Sequence, residues 1–529
     1  MKKIFYLSII LLPGLFASCK KDKKTTPTGT GTTTTSAIDL VRDSIFLYSK
    51  EDYFWNTQLP SYSSFNPRSY TSGTEFASLQ SEMDALSQYA INPATNKPYE
   101  YSIYNPGSAK YSFIDDGTET GALNGNKSDY GFDYGYEQTA INTVKIFILY
   151  VYPGSAAALQ GLTRGCEITA INGNTNISYD GSGYGSGTGA HNNLVYNAIF
   201  SSTTLGMTVT KLNGTSATVS MSNLAYTVNP VLKDTVLDLG AGHKLGYMAF
   251  NTFTSDANAD PKLDAAFTKF NSGAITDLVV DLRYNGGGYV STAEHLDNLI
   301  VPTGITSTMY STVYNNNLTT GNDPLLKNQV YNDGQGPYTL ADVIAQLVAT
   351  NTVSFKKAGS LNVPRVFFMV GPNTASASEL TINNLRALSQ LDVQLVGDTT
   401  YGKPVGFFGL NIGKYVMYNP QFATVNSAGK GGYYAGMTPG AGDYKGFQIY
   451  DDYQHDFGDP NDPMLSHIIN YITKNTYSLP TKITQSLAAS ANQGYGLRHA
   501  AALNKTRVRK TFNGMIFNRK VTITKVTHK

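Results

Sequence analysis

Val366-Phe-Phe-Met-Val-Gly371 leads through Pro372 into Asn373-Thr-Ala-Ser376-Ala-Ser378-Glu379, and Leu380 opens a helical pattern. An apolar run of strand type thus ends in small residues and passes into a helix. Small residues let a backbone approach a ligand closely. A serine there sits beside the unpaired N–H groups of a helix start, where negative charge is stabilised. Lys403 follows 27 residues later in Gly402-Lys403-Pro404, just after a second apolar run at 393–396. A serine hydroxyl is a weak nucleophile and needs a base. Lysine serves only when neutral, a state that burial favours. Gly402, Pro404, Val405, Phe407 and Phe408 flank Lys403, and residues 401–410 contain no acid. On the helix, 3.6-residue periodicity puts Ala377, Leu380, Leu388 and Leu391 on one face with Asn384 among them. Glu379 falls on the far side and is assigned no chemical role.

Upstream, Leu278-Val-Val-Asp281-Leu-Arg283-Tyr-Asn285-Gly-Gly-Gly288 reads as a buried strand followed by a glycine turn. Such a turn brings backbone N–H groups close to a reacting carbonyl. Earlier still comes Val151-Tyr-Pro153-Gly-Ser-Ala-Ala-Ala-Leu-Gln-Gly161-Leu-Thr-Arg-Gly165-Cys166-Glu-Ile168-Thr-Ala-Ile-Asn172-Gly173, preceded by Tyr130-Gly131-Phe132. Asn213-Gly214 between two apolar-patterned runs predicts a hairpin.

Taken in this order, the segments resemble the carboxy-terminal processing, or tail-specific, serine proteases. The resemblance implies Ser376 as nucleophile and Lys403 as general base. It assigns the oxyanion to the N–H of Ala377 with that of Gly287 or Gly288. It makes 151–173 the central part of a PDZ-like module, with Tyr130, Gly131 and Phe132 as its carboxylate-binding loop. In such a module a peptide adds as an extra strand at a sheet edge. The implied fold is a mixed α/β core of crotonase-like layered type, with the PDZ-like β-rich module inserted and a small N-terminal helical region in front. Gly286 stands where the family often has Pro, and Cys166 where it usually has Asp. Phe407 occupies the position of a Gln that in many members orients the base. Either another polar group, such as Asn384, orients Lys403, or the site runs as a dyad.

The N-terminus begins Met1-Lys2-Lys3, continues with an apolar run at 4–16 too short to span a bilayer, and ends Phe16-Ala-Ser-Cys19. That pattern resembles a bacterial lipoprotein signal, with Cys19 lipidated and the protein exported and anchored to a membrane. Lys20 after the cysteine favours the outer membrane. The expected division is 1–18 signal, 19–36 tether, 37–115 helical cap, 116–228 PDZ-like domain, 229–480 protease core and 481–529 basic extension. Ser36 is placed to cap a helix with Ile38, Val41, Ile45 and Tyr48 on one face, and Phe76, Leu79, Met83 and Leu86 mark a second. Trp55, between them, reads as core.

Charged residues make up 15% of the 529, against roughly 25% in ordinary soluble domains, and 37 Tyr with 50 Gly suit a chain of many strands and turns. Residues 481–529 hold ten Lys or Arg and no acid, which reads as a solvated extension, with short strands conceivable at 512–517 and 521–524. A net charge of +2 argues neither for nor against nucleic acid, and no nucleic-acid partner is expected. Ser354-Phe-Lys-Lys357 lacks the companion motifs of penicillin-binding enzymes. No Gly-x-Ser-x-Gly and no His-x-x-x-His occurs. The acidic run Asp451 to Asp462 lacks EF-hand spacing and reads as a solvated turn, so no metal or other cofactor is expected. The expected activity is endoproteolysis of unstructured protein or peptide substrates, near C-terminal tails. Two alternatives remain, a non-catalytic PDZ peptide-binding scaffold and a hydrolase of other acyl substrates such as esters.

Overall fold

The computed structural model describes residues 36–479, apart from 104, 141–142, 181–188 and 332–336, together with 513–517. The expected signal, Cys19 and nearly all of the tether lie outside the described residues, as does most of the basic extension.

Six strands make the central sheet, in the order Val231–Gly240, His243–Phe250, Asp277–Asp281, Arg365–Val370, Asp392–Gly397 and Gly446–Gln448. The first pair is antiparallel and the others are parallel. Both apolar runs that decided the reading lie at its centre, with Leu278 opposite Val366 and Val366 opposite Val393. Their side chains alternate between two cores. Leu278, Val280, Val366, Phe368 and Val370 pack into the main one, with residues of helices Asp256–Ser272, Val290–Ile300 and Ala377–Leu385. Val279, Phe367 and Met369 pack on the opposite face against helix Pro463–Lys474. Burial on both faces is why these strands read as unbroken apolar runs and not as alternating ones. Because the central strands are parallel, their carboxyl ends share one edge. The loops after Asp281, Val370 and Gly397 therefore meet there, where open α/β sheets place their ligands.

The N-terminal region forms the expected helices. Ser36 Oγ accepts the N–H of Asp39 at the start of Ala37–Asp52, and Thr74 caps Glu75–Ser87. Trp55 stacks on Tyr99 with ring centroids 4.4 Å apart, as a core residue would. The same region does more than cap the core: Phe113–Asp115 pairs with Tyr415–Tyr418 as a strand.

A separate five-stranded antiparallel sheet runs in sequence order from Phe132–Ala140 to Ser216–Ser222. It has its own core, built from Phe132, Ile148, Ile168, Val195 and Val209 among others. The hairpin at Asn213-Gly214 forms, with Gly214 at φ +79°. Arg164 docks this sheet on the central one. Its guanidinium is buried and donates to Asp451 and to the carbonyls of Leu149, Asp452 and His455. Arg283 reaches the same place, donating to Asp281, Asp451 and Asp462. The acidic run is thus not the solvated turn expected. Two of its carboxylates are neutralised by buried arginines, because charge can enter an interior only when paired.

Candidate active site

The turn after Val370 is held by a short chain of bonds. Thr374 Oγ1 accepts the N–H of Gly371 and donates to the carbonyl of Leu282, while the carbonyl of Asn285 accepts from Ala375 N–H and Ser378 Oγ. The Ser376 turn is therefore tied to the glycine turn that follows the neighbouring strand. Ser376 stands at the head of the helix with φ +60° and ψ −108°. A residue with a Cβ rarely adopts that backbone, which costs on the order of 1–3 kcal/mol and persists only when surroundings impose it. Ser376 is fully buried, and its Oγ has no hydrogen-bond partner. It occupies the N-cap position without serving as an ordinary cap.

Glu379 imposes that conformation. One of its carboxylate oxygens accepts the N–H of Ser376 at 2.9 Å and that of Lys403 at 2.8 Å. The other accepts the N–H of Gly402 at 2.8 Å and the hydroxyl of Thr400 at 2.5 Å. The helix reading that left Glu379 without a role is corrected here. The residue is fully buried, and it staples the Ser376 turn to the Lys403 loop. Burial pushes its carboxyl up from the ordinary range, and the four donors oppose that rise.

The Lys403 loop is fixed from the other side by the N-terminal region. Gly402 has φ +82°, and a Cβ there would stand 2.4 Å from the carbonyl oxygen of Tyr434, so only glycine fits. The carbonyl of Gly402 accepts from Tyr111 Oη at 2.6 Å and from Lys110 Nζ at 3.1 Å. Burial drives Lys110 down to about 8. No sequence pattern marked Lys110 or Tyr111 as part of the site; for Glu379 the signal passed over was the capping-box spacing Ser376-Ala-Ser-Glu379.

Lys403 is itself fully buried. Its Nζ lies 3.9 Å from the ring centroid of Phe407 and 5.5 Å from that of Tyr111. Phe407, where a Gln orienter was expected, thus offers an aromatic face to the amine instead of a hydrogen bond. Nor does Asn384 supply one. Its Nδ2 donates to Asp297 at 2.8 Å and its Oδ1 has no partner, so it does not accept from Lys403. Lys403 Nζ donates instead to the carbonyls of Tyr111, at 3.5 Å, and of Asn513.

Of the three expected oxyanion donors, Gly287 is engaged, since its N–H donates to Asn285 Oδ1 at 2.9 Å. Gly288 is the better placed of the two glycines. Its φ is +140°, and a Cβ would fall 2.0 Å from the carbonyl oxygen of Phe253. Strand Gly514–Ile516 pairs with Gly287–Tyr289 in parallel, Gly287 opposite Gly514, with the N–H of Gly514 donating to Gly286. In that register the N–H of Gly288 faces the carbonyl of Gly514. Ala377 opens its helix, so its N–H has no carbonyl inside the helix to bond. A point at the Cβ direction of Gly287 lies 2.9 Å from the nitrogen of Ala377 and 2.4 Å from the carbonyl oxygen of Gly514, so the three meet.

Tyr130, Gly131 and Phe132 lie in the small sheet's own body, away from this cluster. The N–H of Gly131 donates to Asp129 at 2.8 Å and Tyr130 Oη to the carbonyl of Ser202. Among the described residues strand Phe132–Ala140 pairs on one side only, and Phe132 to Glu137 are buried. Between the small sheet and the core lies a cavity of about 90 Å³, bordered by Asp133, Tyr150, Tyr152, Tyr284, Asn373 and Asn513.

Residues 244–423 match the model of Peptidase family S41. In sequence the chain is similar to the carboxy-terminal processing protease CtpB of Bacillus subtilis (strain 168), with 27% identity over 162 residues. Those residues are 31% of this chain and 26% of that protein, so the match spans about a quarter of the curated relative's length. In fold it is similar to a solved protein of Bacteroides fragilis NCTC 9343 assigned to the S41 proteases, at a TM-score of 0.55 and 20% identity. That likeness covers 82% of this chain and 97% of the other.

Proposed function

We propose that this chain, which carries a Peptidase family S41 domain at 244–423, is a serine endopeptidase acting on unstructured protein or peptide chains through Ser376 and Lys403. Neutral Lys403 takes the proton from Ser376 Oγ, which attacks the carbonyl carbon of a peptide bond. The oxyanion that forms is held by the N–H groups of Ala377 and Gly288. Collapse of the intermediate returns the proton to the leaving amine and leaves an acyl-enzyme on Ser376. Lys403 then takes a proton from water, and hydroxide releases the acyl group.

The observation that carries this reading is the single buried carboxylate, Glu379, whose one oxygen bonds the backbone N–H of both Ser376 and Lys403. It ties together the two loops whose side chains this reading requires to act together. The crotonase-type layering and the PDZ character of the five-stranded sheet belong to the same reading, with the terminal strand Phe132–Ala140 as the place where a peptide tail would add. Export and lipid attachment through Cys19 would put the enzyme at the cell envelope, outer membrane favoured.

Degradation of an unfolded test protein by residues 20–529, beside Ser376→Ala and Lys403→Ala, tests it. Loss of cleavage in both variants, with melting unchanged, is the expected result; cleavage surviving in both would sink the mechanism. One observation favours the scaffold alternative: Ser376 Oγ has no partner, so the pair is not hydrogen-bonded in this structure. A folded wild type that binds tail peptides and cleaves nothing would select that alternative.

A further inference from the structure

The cleft between the glycine turn and the base loop is filled by the chain's own residues 513–517. On one side Gly514–Ile516 runs parallel to Gly287–Tyr289. On the other, the N–H of Phe407 donates to the carbonyl of Met515, and the N–H of Phe517 to the carbonyl of Phe407, both at 2.8 Å. An extended main chain is thus zipped between the strand that carries the oxyanion donor and the segment that follows the base. Its polar atoms fall where a substrate's would be needed. The Gly514 carbonyl faces the Gly288 N–H. The Asn513 carbonyl takes a hydrogen bond from Lys403 Nζ, an amine that must be turned to Ser376 Oγ to act as base. Met515 and Ile516 are buried, and the ring of Phe517 lies 5.2 Å from that of Phe408.

We propose that residues 513–517 are an internal occupant of the substrate cleft, which keeps the full chain latent until a substrate strand or a partner displaces them. This rests on the peptidase reading of the site and deepens it. The backbone bonds to Gly286 and Phe407 recognise main chain, which any extended peptide offers. The side chains add a preference: a small residue at the place of Gly514, followed by large apolar residues in the places of Met515, Ile516 and Phe517. Favoured substrates are therefore unstructured chains with a small residue before an apolar run.

The test uses the full chain with Met515→Asp and Ile516→Asp together, which cannot keep buried carboxylates in the cleft without cost. In a Ser376→Ala background, a labelled synthetic peptide spanning 511–519 should bind at least tenfold more tightly to the released form than to the chain with its own segment intact. With Ser376 present, kcat/KM on an unfolded protein should rise at least tenfold. Hydrogen exchange on the unaltered chain supplies a second measurement that needs no variant: saturating peptide should speed exchange of the Phe517 amide and leave that of Val279 unchanged. Equal peptide binding in both forms would overturn the proposal. So would loss of binding in a folded double variant, or exchange at Phe517 as slow as at Val279 and indifferent to peptide; each would make the strand a permanent part of the core. Tighter binding on release, with cleavage by neither form, would uphold the occupancy and reject the peptidase reading.

Discussion

Glu379 accepts the backbone N–H of Lys403 at 2.8 Å across 24 positions of sequence. The same oxygen holds Ser376, so the two side chains proposed to do chemistry hang from backbones tied to one buried acid. Positioning of this kind is worth more to catalysis than any contact of the free side chains, because it is in place before substrate arrives.

Replacing Glu379 by Gln keeps the shape and swaps one acceptor oxygen for an NH₂ facing N–H donors. A buried donor left without an acceptor costs about 1–3 kcal/mol. We expect Glu379→Gln to melt at lower denaturant by about that amount and to lose roughly two orders of magnitude in kcat, a loss of the size that misplacement by about 1 Å brings. Full activity in this variant would show that the staple does not position the pair.

Ser376 at φ +60° stores backbone strain that glycine would not feel. Both Ser376→Ala and Ser376→Gly should be inactive. Ser376→Gly should nonetheless be the more stable of the two by about 1 kcal/mol, the reverse of the usual order in a helix. Urea unfolding of the two side by side decides it, and an Ala variant at least as stable would mean the strain is not real.

Burial lowers Lys110 to about 8, from an ordinary value of 10.5. Between those two pH values the unfolded chain binds the proton and the folded one does not. Stability from this group therefore rises as pH climbs from about 8 to 10.5, by about 3 kcal/mol at most. Below 8 both states hold the proton and the cost is fully present. Lys110→Met should flatten that part of the stability–pH curve. It should also lower kcat, since the Gly402 carbonyl loses a donor. An unchanged curve would place the titration elsewhere.

Arg164→Ala removes a buried guanidinium and leaves Asp451 with one fewer cation. Breaking a buried pair from one side costs about 3–5 kcal/mol. Most of that should appear as loosened docking of the five-stranded sheet, read as faster hydrogen exchange at Leu149 and Tyr150 while Val279 and Phe367 stay protected. Uniform loss of protection across both sheets would mean that Arg164 supports the whole fold and not one interface.

The local units of this chain could be read from its residues. Unbroken apolar runs at 278–280 and 366–370 became central strands, and the turns after them carry the small residues that close approach requires. Ser376, Lys403, Ala377 and the pair Gly287 or Gly288 were named from spacing and resemblance, and the fold brings their loops to one sheet edge. The signals missed were of another sort. Glu379 looked idle because helical periodicity says which side of a helix a residue is on, not what packs there. Asn384 looked available for the same reason, and it is spent on Asp297. The acidic run at 451–462 looked solvated because the arginines that neutralise it stand at 164 and 283.

Strand, turn and helix starts were legible in the sequence because side-chain periodicity and glycine's freedom act over a few residues. Partners were not, because a buried donor or charge takes whatever acceptor the packed chain brings to it, at any sequence distance. Only the tertiary structure could join Glu379 to Lys403, set Phe407 under the amine, and carry the strand at 514–516 into the cleft. Residues 512–517 could be read as a short strand within a tail otherwise taken as solvated; which backbones would flank it, Gly287–Tyr289 and Phe407, only the packed chain decided.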